Sequence, residues 1–231
     1  LITGGAGYIG SHLTEELIGK HEIFVVDNLS TGFKKFLSKK IKFYKLNVRK
    51  TSELKKIINR EKIQIVIHLA AKLSIQEAQK KPTQYFENNV YGTESVLKAI
   101  ENSSVKTIIF SSTAAIYSGN KIIECKENLK PKPTNLYGRT KFLGEKMIKN
   151  FCIKKRIRYF ILRYFNVIGA SKTGKIGPFK NYGQLFKVLS KNSLKKKPQI
   201  NIYGKNHKTN DGTCIRDFID VNDLVNIHQF L

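Results

Sequence analysis

The most constraining feature lies at the very start of the chain. Gly4-Gly5-Ala6-Gly7-Tyr8-Ile9-Gly10 sets glycines at a three-residue spacing between an apolar stub, Leu1-Ile2-Thr3, and a helical pattern. That helix is expected over Gly10 to Gly19, with Leu13, Leu17 and Ile18 on one side. A turn from strand to helix this tight requires a residue without Cβ. A second glycine lets the backbone approach a pyrophosphate, and a third lets the helix pack closely on the strand. The helix N-terminus then offers free N–H groups and the positive end of its dipole to an anion. The next apolar run, Ile23 to Val26, ends at Asp27. A carboxylate there accepts both ribose hydroxyls of NAD and repels a 2′-phosphate, so NAD is expected rather than NADP.

The rest of the chain repeats the alternation. Further strands are expected at Ile41 to Val48, Gln64 to Leu69, Thr107 to Ser111 and Tyr159 to Tyr164. Helices are expected at Thr51 to Arg60, Pro82 to Asn102 and Asn135 to Asn150. Short apolar strands alternating with helices imply a parallel sheet covered on both faces, and six of them an α/β doubly wound, Rossmann-type fold. After about Asn166 the alternation fades into a Gly-, Lys- and Ser-rich stretch, Gly169 to Gly183. A helix over Gln184 to Asn192 and strands at Ile200 to Tyr203 and Ile215 to Ile219 would start a smaller lobe. The expected organisation is a cofactor-binding domain over 1–166 and a partial substrate-binding lobe over 167–231, parts of which return to the main domain.

Composition excludes several classes. Hydrophobic residues make up 41% of 231, enough for a packed core rather than global disorder. No apolar stretch approaches the roughly 18 residues of a membrane helix. The net charge of +25 invites a nucleic-acid reading. Yet lysine outnumbers arginine 35 to 7, and the lysines are scattered rather than gathered into an arm. Nucleic acid is therefore not the expected partner, and runs such as Lys195-Lys196-Lys197 and Lys34-Lys35 read as solvated faces. Cys125, Cys152 and Cys214 fit neither a disulfide framework nor zinc spacing. They are expected as inert core residues in a reducing, cytoplasmic protein without a metal. No signal peptide can be read ahead of Leu1.

Tyr137 and Lys141 stand four apart, on one face of a helix. A phenol ionises near 10, too high for a base at neutral pH. A neighbouring ammonium and a nicotinamide cation would both favour the phenolate. The pair follows the hydroxyl cluster Ser111-Ser112-Thr113 at a strand's carboxyl end, where ligands bind in such sheets. Thr113 is placed to hydrogen-bond the substrate oxygen that Tyr137 addresses.

These residues resemble the extended short-chain dehydrogenase/reductase family across essentially the whole chain. The likeness is carried by Thr3 to His12, Val26 to Gly32, His68 to Ala71, Asn88 to Thr93, Phe110 to Tyr117, Tyr137 to Lys141 and Leu162 to Ala170. Thr209 to Leu224 (TNDGTCIRDFIDVNDL) is similar to the UDP-hexose 4-epimerase branch in particular. Related dehydratases carry an acid–base pair where this chain has Ala114 and Ala115. The resemblance implies reversible hydride abstraction at sugar C4 through a 4-keto intermediate, with Tyr137 as base, Lys141 as its partner and Thr113 orienting the 4-oxygen.

It further implies an NAD site of Gly4, Gly7, Tyr8, Ile9, Gly10, Asp27 to Gly32 (Asn28, Leu29, Ser30 and Thr31 between), Asn47, Val48, Leu69, Ala70, Ala71, Asn89, Ser111 and Phe165, with Tyr137 and Lys141. Thr113, Tyr137, Asn166, Gln184, Tyr203 and Arg216 would hold the UDP-sugar, Arg216 through its planar fork. Family members dimerise through helices matching Pro82 to Asn102 and Asn135 to Asn150, so a homodimer is expected. They also continue for roughly another 90 residues of substrate lobe, so the chain is expected to be a truncated member. A relative acting on UDP-N-acetylhexosamine or UDP-glucuronate, and a non-catalytic cofactor-binding or RNA-associated module, are the alternatives.

Overall fold

The structure, a computed structural model, describes residues 1–119, 124–178, 185–202 and 204–231. Six strands form one parallel sheet: β1 (Ile2–Thr3), β2 (Phe24–Asp27), β3 (Lys42–Lys45), β4 (Ile65–His68), β5 (Thr107–Thr113) and β6 (Arg158–Tyr164), in the order β3-β2-β1-β4-β5-β6. The order reverses between β1 and β4, where Ile2 pairs with Val25 on one side and Ile67 on the other. Such a reversal opens a crevice at the carboxyl ends of the strands. Every residue of β2 and β5 is buried, as expected for strands covered on both faces.

The first helix begins inside the glycine motif. α1 runs Tyr8–Leu17, two residues ahead of the expected start, because Gly7 takes an extended N-cap conformation (φ −78°, ψ 179°). α2 (Thr51–Arg60) has its expected bounds and buries Leu54, Ile57 and Ile58 on one stripe. Between β4 and β5 the chain departs from the single expected helix. A short α3 (Ile75–Lys80), capped by the Ser74 side chain, comes first, then α4 (Pro82–Tyr85), a wide π turn over Phe86–Tyr91, and α5 (Gly92–Ile100). A π turn inserts one extra residue per turn and re-aims its side chains, often at functional sites. α6 (Leu136–Lys155) runs longer than expected, starting from Asn135, whose side chain accepts the Gly138 N–H at 2.8 Å. It stops at Arg156, in the left-handed region (φ 56°).

Two cores result, one on each face of the sheet. Val66, Ile108, Phe110, Val96, Ile100, Ile148 and Cys152 fill one. Ile2, Leu13, Val25, Ile67 and Ile109 fill the other. Burying one such aliphatic side chain contributes roughly 1.5–3 kcal/mol.

Beyond β6, strand β7 (Asn166–Ile168) pairs with β8 (Phe218–Asp220) in a separate two-stranded parallel sheet. Between them lies α7 (Leu185–Ser193); Gln184, where this helix is expected to begin, lies outside the described residues. α8 (Val221–Phe230), capped by Asp220, follows and sets Val225 into the second core. No strand forms at Ile200–Ile202, where Ile200 and Ile202 are exposed with no pairing partner, and Tyr203 lies outside the described residues. The strand expected at Ile215 begins only at Phe218. Cys152 is a core residue, but Cys125 and Cys214 are exposed, correcting the expectation for those two. Lys34, Lys35 and Lys195 to Lys197 are exposed. Among the described residues no helix is long and apolar enough to cross a membrane.

Candidate active site

The glycine turn and the ends of β1, β2, β4 and β5 enclose one cleft. Gly4, Gly7, Tyr8, Ile9 and Gly10 line it from the turn, and Asp27, Asn28, Ser30 and Thr31 from the end of β2. Val48, Leu69, Ala70, Ala71 and Ser111 complete the predicted part of the wall. Val26, Leu46, Lys72, Leu73, Asn88 and Pro178 also line it. Most of these are chain neighbours of predicted residues, so strand-end adjacency was the available signal; Pro178 had none.

Local geometry explains the glycines. Gly4 sits at φ +72°, and a Cβ there would lie 2.7 Å from the Ala70 nitrogen. A Cβ at Gly10 would lie 2.6 Å from the Gly4 carbonyl oxygen, so α1 packs directly on the turn. Gly7 has an ordinary φ and one contact, 3.1 Å to the Gly4 oxygen. Protein packing does not demand a glycine at position 7; close approach of a ligand to the backbone does. No side chain caps α1 and no acidic residue occupies its first turn, so its positive end is left for an anion.

Asp27 shapes the turn and keeps acceptor capacity for a ligand. Its Oδ2 accepts the Ala6 N–H (3.0 Å) and its Oδ1 the Leu29 N–H (2.8 Å). Burial raises its pKa while those two bonds oppose the rise. One further lone pair on each oxygen suits two ribose hydroxyls. Open N–H groups for a pyrophosphate and a carboxylate for a ribose fit a dinucleotide.

Several predicted cofactor residues act at one remove. Leu29 (φ 60°) donates its N–H to Asp27. Gly32 packs on Ala6, whose carbonyl accepts the Phe33 N–H. Asn47 turns its Oδ1 onto the Arg49 N–H at 3.0 Å, ahead of α2. Asn89, at the π turn, spends its amide inside the protein: Oδ1 accepts the Lys72 N–H (2.8 Å), while Nδ2 donates to the Lys72 carbonyl and to Thr140 Oγ1 (3.1 Å each). It pins the loop after β4 to α6. The hydroxyl of Tyr8 reaches across to the Gly169 carbonyl at 2.7 Å. Phe165 lies apart from the cleft, half-exposed in a second depression beside Tyr164, because the chain leaves the sheet there.

Beside the cleft, β5 and α6 bring three hydroxyl-bearing residues against three helical ones. Tyr137 is buried, with the Thr113 side chain near enough to favour its phenolate. Lys141, 2% exposed, donates from Nζ to the Ser111 carbonyl at 2.6 Å, with the Phe110 ring 4.9 Å away. Ser112 bonds Glu145. Burial pushes the Tyr137 phenol up to about 12 and the Lys141 amine down to about 7, Glu145 opposing the latter. The expected lowering of Tyr137 counts on a bound cation as well as Lys141; in the protein alone desolvation disfavours the phenolate, as it does the Lys141 ammonium.

Behind this set, His68 bridges Thr3 Oγ1 (Nδ1, 2.7 Å) and Thr93 Oγ1 (Nε2, 3.1 Å). Burial, with Lys141 nearby, holds it down to about 3, a neutral packed histidine. Of the predicted substrate residues, Asn166 donates from Nδ2 to the Asp217 carbonyl (2.9 Å). Arg216 is exposed, with Nη1 on the Ile215 carbonyl. The fold does not bring these two into the cleft lining. Gln184 and Tyr203 lie outside the described residues. No metal-ligating cluster occurs among the described residues.

A doubly wound sheet with an open glycine turn at its strand reversal defines a dinucleotide-binding protein. Comparison makes this specific: the chain belongs to the NAD dependent epimerase/dehydratase family, which it matches over residues 1–231. It is 39% identical over 230 residues to the UDP-glucose 4-epimerase of Lactobacillus helveticus, covering 99% of this chain and 70% of that protein. The Halalkalibacterium halodurans UDP-glucose 4-epimerase is 41% identical over 231 residues, with 99% and 69% covered. The crystal structure of the Brucella ovis UDP-glucose 4-epimerase in complex with NAD superposes with a TM-score of 0.91 at 33% identity, over 99% of this chain and 70% of that one.

Proposed function

We propose that the chain performs the NAD-dependent interconversion of UDP-glucose and UDP-galactose. The observation that carries the reading is the placement of buried Tyr137 on α6 against Thr113 at the end of β5, next to Ser111 of the dinucleotide cleft. Relatives 39% and 41% identical are UDP-glucose 4-epimerases, which supports the same activity here. Bound NAD would supply the hydride acceptor for sugar C4 and its return donor. Tyr137 takes the proton of the 4-hydroxyl and later returns it, so no net proton is consumed. Thr113 orients the 4-oxygen, and Lys141 provides the cationic partner that the buried phenolate needs.

Asp27, the open amides of α1 and the small residues Ala70 and Ala71 would hold the cofactor, and Asn89 would fix the wall it rests on. Asn166 and Arg216, with Gln184 and Tyr203, belong to the substrate side, so residues after about 166 add sugar recognition to that of Thr113 and Tyr137 in the cofactor domain. A cytoplasmic homodimer completes the reading, with Phe86, Tyr91 and Leu143, all exposed on the segments expected to pair, as the apolar contact.

The test is a coupled assay of UDP-galactose conversion. Tyr137→Phe keeps the ring but removes the exchangeable proton, and turnover should fall by about two to four orders of magnitude with NAD still bound. Undiminished turnover would remove Tyr137 from the chemistry.

A further inference from the structure

Tyr137, Lys141 and Glu145 stand at four-residue steps on one face of α6, and three consecutive residues of β5 meet them. Thr113 faces Tyr137, the Ser111 carbonyl accepts from Lys141 and the Ser112 hydroxyl donates to Glu145. We propose that Glu145 is a positioning residue for the reaction, holding Lys141 as an ammonium ion beside Tyr137. The inference rests on the roles of Tyr137 and Lys141 given above.

Glu145 is 4% exposed, and a buried carboxylate persists only with partners. Arg163 supplies a fork from β6, Nε to Oε1 at 3.0 Å and Nη2 to Oε2 at 2.9 Å. Arg163 is itself tied to the Tyr117 hydroxyl and the Glu127 carbonyl. The carboxylate is thus fixed in place by Arg163 and Ser112. One turn separates it from Lys141 and two from Tyr137, so its field favours the ammonium more than it disfavours the phenolate.

The other groups facing Lys141 do not substitute for it. His68, from β4, is neutral, and Tyr164, from β6, is a phenol pushed well up by burial, its hydroxyl bonded to His228 Nε2 at 2.7 Å. Arg163 has its charge matched by Glu145, and Phe110 offers only its ring. Glu145 is the one acidic group that the described residues bring to bear on Lys141.

The experiment is the pH dependence of kcat and KM for UDP-galactose in the intact NAD-loaded enzyme, its E145Q and E145D variants, and Y137F as control. In E145Q the alkaline limb of kcat, where Lys141 loses its proton, should move to lower pH by about one unit. At mildly alkaline pH kcat should then fall about tenfold, while KM changes by less than about twofold. E145D, which keeps the charge, should recover most of the shift. Should E145Q leave Arg163 unmatched and unfold, the E145Q/R163Q pair removes both charges and carries the same measurement. An unmoved alkaline limb in a folded variant overturns the proposal, and so does failure of both variants to fold, which would make Glu145 a folding residue only. Turnover persisting in Y137F would sink the underlying reading instead; a dead Y137F with an unmoved E145Q profile would sink this inference alone.

Discussion

Alanine at Gly10 and at Gly7 should have different consequences, although both residues belong to the same motif. At Gly10 the added methyl would sit 2.6 Å from the Gly4 carbonyl oxygen and from the Gly5 Cα. Ordinary contact begins at 3.4 Å, so α1 must retreat from the turn by 3.4 − 2.6, about 0.8 Å. Both obstacles are backbone, which cannot rotate away. Overpacking of this kind costs about 1–3 kcal/mol. For a chain of this size that is a fall in Tm of roughly 2–12 °C. At Gly7 the methyl would meet one atom at 3.1 Å, with nothing else within 4 Å and an allowed φ. Exchanging Gly for Ala at an N-cap costs less than about 1 kcal/mol.

Gly7 nevertheless lines the cleft, where the methyl would stand between the backbone and a pyrophosphate. NAD affinity should therefore fall at least about tenfold, or 1.4 kcal/mol, in Gly7→Ala. Gly10→Ala should lose both stability and affinity. Thermal melting without nucleotide, paired with calorimetric titration of NAD, separates the two cases. If Gly7→Ala melts as low as Gly10→Ala, or binds NAD with unchanged affinity, the assignment of one glycine to packing and the other to ligand approach is wrong.

Asn89→Ala should destabilise by about 2–4 kcal/mol in urea denaturation, because the Lys72 backbone groups and Thr140 lose buried partners; a loss under about 1 kcal/mol would show that the pin is unimportant. Asp27→Asn should cost about 1–3 kcal/mol and weaken NAD binding, since an amide has one acceptor for two N–H donors; unchanged stability would count against the shared turn-and-ribose role. His68 has a folded pKa near 3 against 6.5, so its contribution is present above pH 6.5 and lost as pH falls toward 3. In that window the unfolded chain binds the extra proton, and stability should drop with acid more steeply in the parent than in His68→Gln; equal slopes by chemical denaturation would contradict a buried neutral histidine.

What could be read from residue order was largely local. The glycine spacing, the apolar stripe of α2 and the helix start near Asn135 operate within a few residues, and each appears where its pattern lies. The break of the long helix into α4, a π turn and α5 was hidden, because the apolar periodicity continues through it. Only the tertiary fit of Asn89 between Lys72 and Thr140 accounts for a wider turn there. Asn47 and Asn89 are expected as ligand contacts, and in the fold their side chains also bond within the protein, Asn47 to the Arg49 N–H and Asn89 to Lys72 and Thr140. An amide's partners depend on what the fold brings near it.

By itself, the order of residues determined the class of sheet, the dinucleotide turn and the Tyr137–Lys141 pairing, because backbone preference and helical spacing are short-range. Folding decided what those groups are worth. It set Ser111, Ser112 and Thr113 against Lys141, Glu145 and Tyr137, and sealed them from water. Desolvation and Coulomb forces depend on neighbours distant in sequence, so the direction of each pKa shift, and the Arg163 fork behind Glu145, exist only once β5, β6 and α6 have packed together.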